Sequence, residues 1–339
     1  MKCLKCGNEL PRSGSHCASC GQKVFARGTQ PGQPSLSRRL DGALPEARSP
    51  NDFTATPNLT SLPAKVDLRE HCTPVEDQGQ LGSCVACAAV GAMEFRLKKE
   101  GKPVDLSRMF VYYNARRMSG HEGGDYGSAI SRGMAAFLAF GAPPETMWPY
   151  QVDLLSKQPD QETYTKALEY VPTEYARVDG IENIKGTLAR GYPVVFAGSI
   201  PEKFCEAVRE NGRAPVPSKA EVEAAFSGSG NHAMVLVGYD GNAQEFIVRN
   251  SWGEGWGDKG YFYLPFETYS GMTENNTWIL GKLEASGDFQ IHRPKVEEKK
   301  VEGGVRDMAA KLREDIRGSL TKDIKDSFKE VKDRMKEKP

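Results

Sequence analysis

Across residues 83–99, apolar side chains recur at helical spacing. Val85, Ala88, Ala89, Ala92, Met93 and Phe95 share one face, and Gly101 follows as a stop signal. Residues 106–117 and 129–140 repeat the pattern and predict two more helices. The second half of the chain changes period. Residues 192–197, 232–239, 245–250 and 259–264 are short runs rich in Val, Ile, Tyr and Phe, and predict strands. Helices first and strands later imply an α+β domain of two lobes over residues 61–288. Beyond it, residues 289–339 alternate charged side chains with an apolar position every three or four residues, from Val301 through Leu312, Ile316 and Phe328 to Met335. That pattern predicts a long amphipathic helix. It would pack on its own domain, self-associate, or serve a protein partner or a membrane surface. Residues 26–60 have neither period. Pro31, Pro34, Pro45, Pro50 and Pro57 punctuate a stretch rich in Gly, Ser and Thr, which reads as a flexible linker.

Composition narrows the function classes. Lys plus Arg number 45 and Asp plus Glu number 45 in the 339 residues. A balanced charge gives no global argument for nucleic acid or for an acidic membrane surface. No apolar run approaches the roughly 20 residues of a membrane span, and the first residues lack the apolar core of a secretory signal. Of eight cysteines, four fall in the first twenty residues and the others are scattered. Scattered thiols do not make a disulfide scaffold, so the expected compartment is the cytoplasm.

The clustered four form Cys3-x-x-Cys6 and Cys17-x-x-Cys20, with Gly7 and Gly21 allowing a tight turn after each pair. Four thiolates at this spacing suit tetrahedral Zn²⁺, whose binding would supply the folding free energy of a module with almost no core. Residues 1–25 therefore read as a zinc ribbon, similar to those at the N-termini of bacterial proteins. A redox-active cluster is the alternative. With every coordination position filled by protein, such a site is structural rather than catalytic. Its basic set is too thin to imply nucleic acid.

Chemistry concentrates in two distant segments. One runs from Gln78 through Cys84 to Cys87; the other comprises Asn231, His232 and then Asn250-Ser251-Trp252-Gly253. A thiol attacks a carbonyl only as thiolate, and the start of a helix favours that charge at Cys84. His232 can take the thiol proton and later return it to a leaving amine. Asn250 can orient the imidazole through its second ring nitrogen. Gln78 can join the Cys84 N–H in stabilising an oxyanion. Each residue alone has a plainer reading as a buried thiol, a core histidine or a turn amide. Cys84 and Cys87 could also form a redox pair.

The combination resembles the papain-like cysteine peptidases, and most closely their compact bacterial intracellular members. Val66-Asp67-Leu68-Arg69 is similar to the family's mature N-terminus, and the spacing from Gln78 to Cys84 matches its oxyanion glutamine and nucleophile. Asn231-His232-Ala233 and Asn250-Ser251-Trp252-Gly253 match its histidine and asparagine motifs. The resemblance implies a helical lobe carrying Cys84, a β-barrel-like lobe carrying His232 and Asn250, and a cleft between them. It further implies that Trp252 shields the His–Asn bond, and that Gly123, Gly124 and Asn231 line the substrate. No cofactor is implied for catalysis. Three departures stand out. Leu81 replaces a cysteine, removing the family's usual disulfide. Val85 and Ala86 stand where a tryptophan follows the nucleophile. Residues 1–60 do not look like the folded inhibitory segment of secreted members.

The expected function is cysteine endopeptidase through a Cys84 thioester. The alternatives are a transamidase or amide hydrolase on the same chemistry, or a scaffold. Expected partners are protein or peptide substrates, with the ribbon or the C-terminal helix recruiting them.

Overall fold

The computed structural model describes residues 42–293, apart from 59–60, 201, 217, 219, 222–230, 282 and 284. The cysteines expected to bind zinc, Cys3, Cys6, Cys17 and Cys20, and nearly all of the predicted C-terminal helix lie outside these residues.

Three helices build the first lobe: α1 (Cys84–Lys99), α2 (Arg108–Arg117) and α3 (Ile130–Phe140). All three lie within two residues of the predicted spans. Helix α1 is apolar nearly all round, and accordingly it is central, with α2 and α3 on one side and strand β5 (His232–Asp240) on the other. Ser107 caps α2 by accepting from the Phe110 N–H at 3.1 Å.

The second lobe is one mixed sheet. Its further strands are β1 (Thr54–Pro57), β2 (Lys65–Asp67), β3 (Glu174–Arg177), β4 (Val194–Gly198), β6 (Glu245–Arg249), β7 (Tyr261–Pro265), β8 (Thr273–Gly281) and β9 (Phe289–His292). The order is β7-β6-β5-β4-β8-β3-β1-β9, with β2 paired to β5. Only β1 and β3 run parallel. Strands β4 and β6 are buried throughout and β5 nearly so, because helices cover one face and a second apolar cluster around Phe196, Phe246 and Trp256 covers the other. Strand β7 buries alternate residues, as expected of a strand at the sheet edge.

Ionic contacts tie the lobes together beside α1. Glu76 accepts from Arg249 Nη2 of β6 at 2.8 Å and lies 3.5 Å from Arg108 of α2. Arg249 also donates to the Thr73 and Pro74 carbonyls. These bonds fix the stretch that leads into Gln78.

Two boundaries differ from the sequence reading. Part of the expected linker is ordered: β1 pairs with β3 and, over four residues, with β9. The expected helical tail begins with that β9 strand instead. Both short strands are defined by backbone pairing, with each other and for β1 also with β3, which no local pattern announces. A buried ion pair also holds the linker. Arg177 Nε donates to Asp52 Oδ2 at 2.8 Å, with each side chain 2 % exposed, and the guanidinium lies 4.1 Å over the Trp278 ring.

Candidate active site

Cys84 is the first residue of α1 and is fully buried. The turn delivering it is tied at many points. Asp77 Oδ1 accepts from the Gly79 N–H at 2.9 Å, Asp125 Oδ1 accepts from the Gly82 N–H at 2.9 Å, and Gln78 N donates to the Ser251 carbonyl at 2.9 Å. The Gln78 side chain is 1 % exposed. Its Oε1 accepts from Ser251 Oγ, and its Nε2 donates one proton to the Leu81 carbonyl at 2.9 Å. Because Ser251 holds the oxygen end, the second N–H is the group left for a ligand.

His232 opens β5. Its Nε2 lies 2.8 Å from Asn250 Oδ1, so the ring donates to the amide oxygen through that nitrogen. Asn250 Oδ1 also accepts from the Ser251 N–H at 2.8 Å. Trp252 stacks on the imidazole, with ring centroids 4.7 Å apart and planes 29° from parallel. The other ring nitrogen, Nδ1, has no hydrogen-bond partner. Burial pushes the His232 pKa down to about 4, against the opposing effect of the Asn250 bond. The described ring is therefore neutral at pH 7, with a free lone pair on Nδ1.

The cleft beside these residues is occupied by the chain itself. Ala43 N donates to the Asn231 carbonyl at 2.8 Å and Asn231 N returns a bond to Ala43 O at 3.1 Å. On the other lip, Ser128 N donates to Gly42 O at 2.9 Å and Leu44 N to Ser128 O at 3.0 Å. Gly42 lies directly on the thiol: a β-carbon there would stand 2.9 Å from both Cys84 Sγ and the Gly82 carbonyl oxygen. Gly127, at φ +73°, permits the close approach from the other side, since a β-carbon there would fall 2.4 Å from Gly42 O. Farther along, the Glu46 carboxylate accepts from Ser131 N, Ser131 Oγ and Asn276 Nδ2. Residues 42–57 thus form a strap running from the thiol to the sheet edge. Consecutive strap residues touch Cys84 and pair with the residue preceding His232, so the strap spans both sides of the site.

The sequence-predicted residues distribute as follows. Gln78, Cys84, His232, Asn250 and Trp252 converge on this cleft, and Asn231 lends it main-chain groups. Gly123 and Gly124 sit in a turn around Arg116, whose guanidinium donates to the Glu122 and Gly124 carbonyls, and the next residue, Asp125, holds the Gly82 N–H. The main chain that pairs in the cleft belongs to Ser128. Four participants went unread in the sequence: Ser251 on Gln78, Tyr150 on the Gln78 turn, Ser128, and the strap. Only Ser251 had a signal, its place in the Asn250–Gly253 motif.

The papain family cysteine protease description matches residues 62–278. The chain belongs to this family, and by class it is a cysteine peptidase. An uncharacterised peptidase C1-like protein of Acanthamoeba polyphaga mimivirus is 34% identical over 220 residues, covering 61% of this chain and 69% of that one. Chicken (Gallus gallus) cathepsin K is 30% identical over 245 residues, covering 65% of each. The chain thus spans about two-thirds of the length of these relatives. Among solved structures, xylellain, a cysteine protease from Xylella fastidiosa, superposes with a TM-score of 0.64 at 32% identity, covering 72% of this chain and 97% of that one.

Proposed function

We propose that the protein is an endopeptidase with Cys84 as nucleophile and a resting form closed by its own strap. Cys84 sulfur adds to the peptide carbonyl carbon as its proton passes to His232 Nδ1, and the carbonyl electron pair moves to oxygen, where the Gln78 amide and the Cys84 N–H receive it. Collapse breaks the C–N bond, and the amine leaves with a proton from His232. Water, deprotonated by His232, then cleaves the thioester. Asn250 keeps the imidazole in the required tautomer. The observation that carries this reading is the 2.8 Å His232–Asn250 bond beneath Trp252, with Nδ1 left free.

Latency rests on the strap. It presents the Gly42 α-carbon to the thiol, and the Gly42 carbonyl is given to Ser128 N. A methylene offers the sulfur no electrophile. The cleft half of the strap is held by main-chain bonds, whereas its other half is anchored by Asp52–Arg177 and by β1. Opening at 42–44 therefore leaves the strap attached through Glu46, Asp52 and β1 and able to return. The test is Gly42→Val in the full chain, since the added methyls collide with the thiol and the Gly82 carbonyl. Alkylation of Cys84 by iodoacetamide should accelerate, and peptide hydrolysis should rise with it. A rate equal to wild type would sink the latency reading.

Residues 1–25 are read as a structural zinc ribbon on the strength of their cysteine spacing, and the 289–339 tail, beyond its β9 strand, as an amphipathic helix. Both would recruit substrates or partners. A cytoplasmic setting is read from the scattering of the other four cysteines along the chain, which is no disulfide scaffold.

A further inference from the structure

Between Gln78 and Cys84 the chain supplies both oxyanion donors, the Gln78 amide and the Cys84 N–H. It does so on a turn containing Gly79 and Gly82, and a turn with two glycines is pliant. One side-chain atom reaches both ends of it. Tyr150 Oη donates to the Gln78 carbonyl at 3.0 Å and also meets Ser83 Oγ. A phenol has a single proton, so with that proton on Gln78 the Ser83 hydroxyl is the donor to Tyr150. Ser83 immediately precedes Cys84; its side chain caps no backbone N–H of α1 and lies 3.8 Å from Cys87 Sγ.

Tyr150 is itself held firmly. Its N–H donates to Glu145 Oε1, Glu145 lies 3.2 Å from Arg108 Nη2, and the Arg108 guanidinium sits 5.9 Å from the Tyr150 ring centroid. Burial pushes the phenol well above its usual range, so it stays protonated at any working pH. From the opposite lobe, Ser251 grips Gln78 through its carbonyl and hydroxyl. The turn is thus pinned from both lobes; on the helical side Asp125 holds Gly82 in its middle, and the Tyr150 hydroxyl bonds at both Gln78 and Ser83.

We infer that Tyr150 is a positioning residue for acyl transfer, its hydroxyl fixing the separation of the two oxyanion donors. It touches no substrate and acts through Gln78 and Ser83. The inference rests on the peptidase reading. Donors misplaced by fractions of an ångström lose transition-state stabilisation and little ground-state affinity. A tyrosine serving only as core filler would owe its effect to the ring, which phenylalanine retains.

The test uses Tyr150→Phe in the full chain with two probes. Acetyl-Leu-Leu-norleucinal accepts the Cys84 sulfur at its aldehyde carbon, and its carbonyl electron pair moves to oxygen, so the adduct needs the oxyanion donors. Iodoacetamide is attacked at a saturated carbon with loss of iodide, needs no such donors, and reports thiol access, including strap opening. The expected result is a loss of kcat of about 10-fold or more at nearly constant KM, an equal loss of aldehyde affinity, and an unchanged alkylation rate and pH profile. Ser83→Ala, which leaves the phenol its bond to Gln78, should give a smaller loss of the same kind and serves if Tyr150→Phe folds poorly. Wild-type aldehyde affinity in both variants overturns the clamp, as does a parallel fall in aldehyde binding and alkylation. A wild-type protein that is alkylated yet forms no aldehyde adduct would defeat the acyl-transfer reading instead.

Discussion

At the scale of single residues, His232 shows how the cleft sets chemistry by burial. In the closed form the ring is fully buried, and its pKa is pushed down to about 4. An exposed imidazole titrates near 6.5. A form that frees the ring therefore binds a proton first as pH falls. Above about 6.5 neither form is protonated and the closed form keeps its full stability. Between about 6.5 and 4 it loses stability relative to the open form, by up to about 3 kcal/mol. Hydrogen exchange at the Ala43 and Leu44 amides checks this: protection, corrected for intrinsic exchange, should fall across that window and stay flat in His232→Phe. The amide partners give kinetic predictions. Asn250→Ala removes the acceptor at Nε2 and should lower kcat/KM about 100-fold, mainly through kcat, because the ring is no longer held in the useful tautomer. Gln78→Ala should cost about 100-fold in kcat. Steady-state kinetics on one peptide substrate measures both, and an effect confined to KM would contradict the assigned roles.

At the scale of elements, the strap is the least expected feature. Its composition, rich in proline and poor in aromatics, predicts no order. Order comes instead from partners far away in sequence: Ser128 and Asn231 for its start, Ser131 and Asn276 for Glu46, Arg177 for Asp52, and β9 for its last strand. Asp52→Ala would leave the Arg177 guanidinium buried without its counter-charge. Removing one member of such a pair costs about 3–5 kcal/mol. The expected outcome is a markedly lower unfolding midpoint together with faster alkylation of Cys84, as the strap loses its anchor. A melt unchanged from wild type would show that Asn276 Oδ1, which accepts from Arg177 Nη1 at 2.9 Å, suffices for the guanidinium. The three helices of the first lobe were legible because apolar residues recur through each at helical spacing and a stop signal or polar residue bounds it. Strands β2, β3 and β9 were not, since strands of three or four residues acquire their identity from the neighbours they pair with, and β8 was hidden by its polar first half, Thr273-Glu274-Asn275-Asn276-Thr277.

At the scale of the whole molecule, two lobes meet along α1 and β5, so the nucleophile comes from one and the imidazole from the other. No helix among the described residues is long and apolar enough to cross a membrane. The cysteine pairs at 3, 6, 17 and 20 predict one zinc per chain by elemental analysis, lost in a Cys3→Ser, Cys6→Ser variant. Because the acyl-transfer groups need no metal, hydrolysis of a short peptide should survive that loss. Hydrolysis of a protein substrate should fall if the module recruits it.

The sequence by itself determined the chemistry. A cysteine at a helix start, a histidine opening an apolar strand and an asparagine before a tryptophan are short local patterns, and their acid–base properties travel with the residue type. It also determined the helical lobe, through periodicity. What only the tertiary structure decided is where backbone meets backbone over long separations. Main-chain pairing carries no side-chain signature, so neither the cleft partner Ser128 nor the strap lying over Cys84 could be read from residue types. Tyr150 belongs to the same group. One hydroxyl ties Gln78 to Ser83 only because folding brings α2, the loop after α3 and the start of α1 together.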